Sequence, residues 1–169
     1  PNTYYFQTRE ISHMIWDYFR RPDIQTQIRA NNPHQARYQQ NQDCFVHIRL
    51  GDTIQYGYNP GLRYYCMALD QIQGCDHIYI ATDSPEHEIP QELLRRYPNA
   101  ILYLTDEIDT LQFGSTCKYL VLSHGSYSAV MGWLAYHSEV YYPEYIFERM
   151  WHGDMFSIEG WHKVVGYLT

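Results

Sequence analysis

The chain has 169 residues, of which 45% are hydrophobic and 18% charged, and this composition suits one globular domain with a substantial core. Its net charge of −7 argues against binding along a nucleic acid, because a polyphosphate backbone selects a basic surface. No apolar run reaches the roughly 18 residues that a membrane span needs.

The first 42 residues predict two helices and a polar loop. Residues 8–21 carry a regular apolar stripe, with Thr8 as a candidate cap and Pro22 after the end. A second, short helix is expected over residues 23–30, and the Asn- and Gln-rich residues 31–42 read as a linker. We therefore expect leading helices and a linker in residues 1–42 and one domain in residues 43–169.

From residue 43 onwards, predicted strands and helices alternate. Strands are expected at residues 44–50, 77–81, 100–104, 119–122 and 140–142, and helices at residues 63–73, 91–97, 107–117 and 129–137. Near-continuous apolar strands separated by helices predict an α/β fold with a parallel sheet covered on both faces. The four cysteines have no metal-ligand spacing and are interpreted as reduced core residues, with a disulfide as the alternative.

The first predicted strand carries the clearest chemical signal. Because side chains alternate along a strand, His47 and Arg49 share one face, about 6–7 Å apart, and Asp52 follows where the strand stops. The planar fork of an arginine suits a diphosphate, and a histidine can hydrogen-bond the edge of a base or a sugar. The alternative is a half-exposed strand with a charged tip.

Two weaker signals follow the second and fourth predicted strands. Asp83 and Ser84 stand at one strand end, and Ser126 and Ser128 precede a helix. Ligands of parallel α/β sheets bind outside the carboxyl ends of the strands, so the three signals together favour one site. The alternative for both pairs is helix or turn capping.

Two further patterns are weaker still. Asp106, Glu107 and Asp109 could bind a divalent ion, but a negatively charged helix start is the preferred interpretation. The order His124, Gly125, Ser126 invites a serine-hydrolase hypothesis, but the flanking residues do not fit a nucleophile elbow.

Four segments in this order resemble the α1,2-fucosyltransferases of glycosyltransferase family 11, and more distantly the α1,6- and protein O-fucosyltransferases. They are residues 5–8, 47–52, 79–84 and 122–128. The resemblance implies a GT-B enzyme built of two Rossmann-like halves, and this chain would be the C-terminal, donor-binding half. It implies transfer of fucose from GDP-fucose to a glycan hydroxyl with inversion and without a metal.

The resemblance also implies roles for individual residues. Arg49 matches the arginine on the donor diphosphate, and Asp52 matches the acid that braces the loop and is our first choice for a general base. The other implied substrate-binding residues are His47 and Asp83 near the guanine, Ser84 in the same motif as Asp83, and Ser126 and Ser128 on the phosphates.

The shortness of the chain adds an expectation about partners. Full activity would need an acceptor-binding half, either upstream or on a separate chain, and the partners would be a nucleotide sugar and a glycan rather than a nucleic acid. Since the sequence contains no membrane anchor, a soluble, cytoplasmic location is expected in preference to the Golgi lumen. Two alternatives stay open: a binding module without catalysis, and a transferase that uses another GDP-deoxyhexose such as GDP-rhamnose.

Overall fold

The computed structural model describes residues 7–146, 150 and 152–168. It begins with two helices, α1 (Arg9–Arg20) and α2 (Pro22–Ala30). Thr8 caps α1 as predicted, because its hydroxyl accepts a hydrogen bond from the backbone N–H of Ile11. Pro22 opens α2, where its missing N–H costs nothing.

Six strands form one sheet in which every neighbouring pair is parallel. They are β1 (Cys44–Ile48), β2 (Ile78–Thr82), β3 (Ala100–Leu102), β4 (Tyr119–Val121), β5 (Glu139–Pro143) and β6 (His162–Val164). Their spatial order is β3-β2-β1-β4-β5-β6, which is the strand order of a doubly wound, Rossmann-like sheet. The predicted α/β fold with a parallel sheet is therefore confirmed.

Five further helices connect the strands. They are α3 (Gly51–Gln55), α4 (Leu62–Leu69), α5 (Glu88–Arg96), α6 (Glu107–Gly114) and α7 (Ser126–Leu134). The sequence predicted four of them, with ends that differ by a few residues, and missed the short α3 and the edge strand β6. Neither has the length that makes a periodic pattern visible.

Two boundaries differ from prediction in ways that matter for the site. Strand β1 ends at Ile48 instead of Leu50, because the backbone N–H groups of Leu50 and Gly51 bond to the side chain of Asp83. Helix α7 begins at Ser126 instead of Ala129, directly after Gly125, whose positive φ of 102° makes the sharp turn between strand and helix. The predicted serine motif therefore lies within the first turn of a helix.

The core consists of two clusters, one on each face of the sheet. Cys44, Val46, Ile48 and Leu50 pack on one face with residues of α4 and α5. Phe45 packs on the other face with residues of α1, α6 and α7. The alternation predicted for β1 is thus confirmed, and helices cover both faces of the sheet.

Helix α1 shares the second core cluster, since Ile15, Trp16 and Phe19 pack against it. Its Arg20 donates a 2.9 Å hydrogen bond to the backbone carbonyl of Trp133 in α7.

All four cysteines are free thiols, and two of them are buried. No helix in the described ranges combines the length and apolar character needed to cross a bilayer.

Candidate functional site

A cleft of about 580 Å³ opens at the carboxyl ends of β1 and β4. These two strands are neighbours whose connections run in opposite directions, to β2 on one side and β5 on the other. This is the topological switch point, where ligands of doubly wound sheets bind. The described lining residues are Gln7, His47, Arg49, Asp52, Thr53, Tyr56, Tyr58, His124, Gly125, Ser126 and Tyr127.

Arg49 lies on the cleft wall beside two carboxylates. Its Nη2 donates a 2.7 Å hydrogen bond to Asp52 Oδ1, and its Nε lies 3.5 Å from Asp83 Oδ2. The side chain keeps 45% of its surface exposed, so both ion pairs are solvated. Solvated ion pairs of this kind add little stability, so a ligand can replace them at small cost.

Asp83 connects the ends of β1 and β2. Its Oδ1 accepts hydrogen bonds from the backbone N–H groups of Leu50 (2.9 Å) and Gly51 (3.3 Å). A Cβ at position 51 would lie 2.8 Å from Asp83 Oδ2, so any larger residue here would make the Asp83 carboxylate shift. Asp83 does not cap the following helix, which His87 caps through the N–H of Ile89.

The start of α7 forms the opposite wall of the cleft. In the part of the chain that the structure describes, no side chain caps this helix. Its first backbone N–H groups therefore keep their hydrogen-bonding capacity, and Ser126 adds a hydroxyl to the cleft lining. The positive end of the helix dipole favours an anion at this place.

His47 lies between these two walls and is almost fully buried. Its Nδ1 is 2.5 Å from Ser128 Oγ, and its ring packs against Tyr127 with 5.1 Å between the centroids. Burial lowers the pKa of His47 to about 4, with the nearby guanidinium of Arg49 lowering it and Asp83 opposing the shift. The imidazole is therefore neutral near pH 7.

Ser128 and Ser84 lie apart from the cleft lining. Ser128 has no exposed surface, and its Oγ is occupied by His47 Nδ1 and by the backbone N–H of Ser123. Ser84 contacts its own loop through Thr82 and Asp83. The phosphate contact expected for Ser128 and the substrate contact expected for Ser84 stay predictions that these positions do not favour.

Aromatic residues of the loop after β1 are part of the site that the sequence did not single out. Tyr56 and Tyr58 stack on each other with 6.0 Å between ring centroids, and Asn59 fixes the loop by a hydrogen bond to the backbone carbonyl of Arg49. The closely spaced tyrosines and glycines of this loop are the sequence feature that could have indicated a role in the site. The pattern alone does not show where the rings lie, because their positions depend on the conformation of the loop.

Two buried tyrosines of α4 support the cleft by hydrogen bonds to the chain that follows β4. Tyr64 in α4 donates a hydrogen bond to the backbone carbonyl of Leu122 (2.6 Å), and Tyr65 donates one to Ser123 Oγ (3.1 Å). Both rings are fully buried. These two hydrogen bonds hold the turn between β4 and α7 against α4.

The acidic cluster has the structural role that was preferred for it. Asp106 caps α6 by accepting hydrogen bonds from the N–H groups of Ile108 (3.0 Å) and Asp109 (2.8 Å). Asp109 in turn contacts His34 and Tyr103. Among the described residues, no group of three or more histidine, cysteine or acidic side chains is arranged to hold a metal ion.

In comparisons with known proteins, no family model matches the chain and no curated protein sequence matches it. The fold and the site together define an α/β protein with a Rossmann-like parallel sheet and an open cleft at its switch point. The resemblance to fucosyltransferases therefore depends on the sequence segments. Of the first segment, Tyr5 and Phe6 lie outside the described residues, Gln7 lines the cleft and Thr8 caps α1.

Proposed function

We propose that this chain is the donor-binding domain of a glycosyltransferase that uses a GDP-activated deoxyhexose, with GDP-fucose as the first candidate. The observation that carries the proposal is the position of Arg49 opposite the uncapped start of α7, across one cleft at the switch point of the sheet. A diphosphate is the ligand that both walls would bind, one through a guanidinium and the other through backbone N–H groups.

The proposed reaction is a displacement at the anomeric carbon of the donor sugar. The oxygen of a glycan hydroxyl forms the new bond on the face opposite the diphosphate, the bond between the anomeric carbon and the β-phosphate oxygen breaks, and GDP leaves with that oxygen and the electron pair. Arg49 and the N–H groups at the start of α7 would stabilise the charge that develops on GDP. Removal of one such contact typically costs about 100- to 1000-fold in rate.

The hydroxyl proton must leave to a base, and Asp52 is the one carboxylate among the described residues of the cleft lining. The hydrogen bond from Arg49 lowers the pKa of Asp52, which makes it a weak base. This observation favours the second candidate function, a module that binds a nucleotide sugar or a glycan without turnover. An acceptor-binding half on the same or another chain could supply the base instead.

Calorimetric titration of GDP into wild type and Arg49→Ala tests the binding step. We expect the variant to bind about 10- to 100-fold more weakly, because a hydrogen bond to a charged group contributes about 1.5–3 kcal/mol. Arg96→Ala is the matched control. Like Arg49, Arg96 is half-exposed and forms an ion pair with an aspartate, in this case Asp70, but it does not line the cleft. Equal affinity of wild type and Arg49→Ala would contradict the proposal.

Three comparisons separate the remaining alternatives. Competition among GDP, UDP and dTDP identifies the preferred nucleobase, and a panel of GDP-sugars that includes GDP-fucose and GDP-rhamnose identifies the donor. Incubation of the preferred donor with and without glycan acceptors then measures hydrolysis and transfer. Tight GDP binding without either reaction would support the binding module over the enzyme.

A further inference from the structure

His47 and Ser128 form a buried contact that joins the carboxyl end of β1 to the first turn of α7. The two residues are separated by 81 positions in the chain, and their polar atoms lie 2.5 Å apart. His47 reaches the cleft lining, whereas the side chain of Ser128 has no exposed surface. Whatever Ser128 does for a ligand, it does through the histidine.

The hydrogen bonds of Ser128 determine which nitrogen of His47 carries the proton. Ser128 Oγ already accepts a 3.0 Å hydrogen bond from the backbone N–H of Ser123. If Oγ also accepted one from His47, its own hydrogen would need another buried acceptor, and the contacts of the described residues provide none. The hydroxyl hydrogen therefore points to His47 Nδ1, which must be the unprotonated nitrogen.

A neutral imidazole carries one hydrogen on its two ring nitrogens, and this hydrogen must be on Nε2 when Nδ1 accepts a hydrogen bond. Nδ1 is turned to Ser128, and Nε2 is the nitrogen that remains for the cleft. We propose that Ser128 is a positioning residue, which holds His47 with its hydrogen on Nε2 and so presents a neutral hydrogen-bond donor to an acceptor oxygen of the bound ligand.

This assignment rests on the proposed function only for the identity of the ligand. It differs from the expectation that Ser128 touches phosphate, and it gives the serine motif two roles: Ser126 on the surface of the cleft and Ser128 behind its histidine. The low pKa of His47 agrees with it, since a neutral ring is needed for Nδ1 to accept near pH 7. The contact with Tyr127 limits the other ring orientations.

The proton position can be measured without a ligand. In ¹⁵N-labelled wild type at pH 7, long-range ¹H–¹⁵N spectra distinguish protonated from unprotonated ring nitrogens, and the His47 signals are identified by their loss in His47→Gln. We expect a protonated Nε2 and an unprotonated Nδ1. A protonated Nδ1 in the folded wild type would overturn the proposal, and this outcome needs no Ser128 variant to fold.

Binding measurements test the donor role. Ser128→Ala should leave His47 as a mixture of tautomers and weaken GDP binding about 5- to 10-fold, and Ser128→Thr, which keeps the hydroxyl, should restore the wild-type tautomer and affinity. His47→Gln, whose amide can donate from a position near Nε2, should bind GDP more tightly than His47→Asn. Equal affinity of all four variants and wild type would refute the donor role.

The choice of probe separates this inference from the proposed function. Inorganic pyrophosphate titrated beside GDP locates the accepting oxygen: a loss with both probes assigns it to the diphosphate, and a loss with GDP alone assigns it to the nucleoside. If wild type binds neither probe but shows the expected tautomer, the proposed function fails and the positioning by Ser128 stands.

Discussion

Replacement of Asp83 should reveal whether this carboxylate stabilises the backbone of Leu50 and Gly51 or only pairs with the charge of Arg49. In Asp83→Ala, the N–H groups of Leu50 and Gly51 lose their acceptor, and Arg49 loses one of its two ion pairs. A hydrogen bond to a charged acceptor contributes about 1.5–3 kcal/mol, and the exposed ion pair contributes at most about 1 kcal/mol. We expect a total loss of about 2–3 kcal/mol in the free energy of unfolding.

Asp83→Asn separates the two contributions, because the amide oxygen can still accept from both backbone N–H groups while the charge is gone. Its expected loss is about 1 kcal/mol. For a chain of this length, each kcal/mol corresponds to about 2–4 °C of melting temperature, so Asp83→Ala should melt about 4–12 °C below wild type. Urea titrations of the three proteins give the free energies.

Asp23→Ala is the control for these measurements, since Asp23 pairs with an exposed arginine, Arg21, without bridging two strand ends. Its urea unfolding midpoint should stay close to that of wild type, because an exposed ion pair adds little stability. If Asp83→Asn were as destabilising as Asp83→Ala, the stabilisation would come from the charge and not from the backbone hydrogen bonds. If both variants were as stable as wild type, the loop would be held by other contacts.

Three other substitutions give further expected outcomes. In Gly132→Ala, the added methyl group would overlap the ring of Trp161, and urea titration should show a loss of about 1–3 kcal/mol. The pKa of His47 is about 4 in the folded state and about 6.5 in the unfolded chain, so the unfolded chain takes up the proton first as the pH is lowered. The free energy of unfolding should therefore fall by up to about 3 kcal/mol from pH 6.5 to pH 4. In His47→Gln, urea titrations should show a shallower fall over the same pH range. Asp52→Asn removes a competitor for Arg49, so calorimetry should show GDP binding unchanged or a few-fold tighter, whereas a rate loss in the same variant would identify Asp52 as the base.

The sequence predicts the frame of the site well because the frame depends on local patterns. The alternation along β1 correctly put Cys44, Val46, Ile48 and Leu50 on the face opposite Phe45, and the apolar strands correctly indicated a parallel sheet. The direction of parallel strands then brings their carboxyl ends together at one edge. From this, the cleft next to Arg49 and Ser126 followed without any contact information.

What the sequence could not predict are the contacts between residues that are far apart in the chain. Asp83 is 33 residues from Leu50, and the hydrogen bond between them depends on the register of β1 against β2. The buried position of Ser128 depends on where α7 begins, which a Gly-Ser sequence leaves open by several residues. A shift of that helix start by one residue would turn a different side chain towards His47.

The proposed function requires a chain with a negative net charge to bind an anionic ligand. Arg49 in the free protein is balanced by Asp52 and Asp83, so the cleft carries no large excess of positive charge. Discrimination would then come from geometry, because the Arg49 guanidinium, the His47 imidazole and the start of α7 line one cleft from separate parts of the fold. In the proposed function a diphosphate would contact all three groups, whereas an isolated carboxylate has too few oxygens to replace the ion pairs that it displaces.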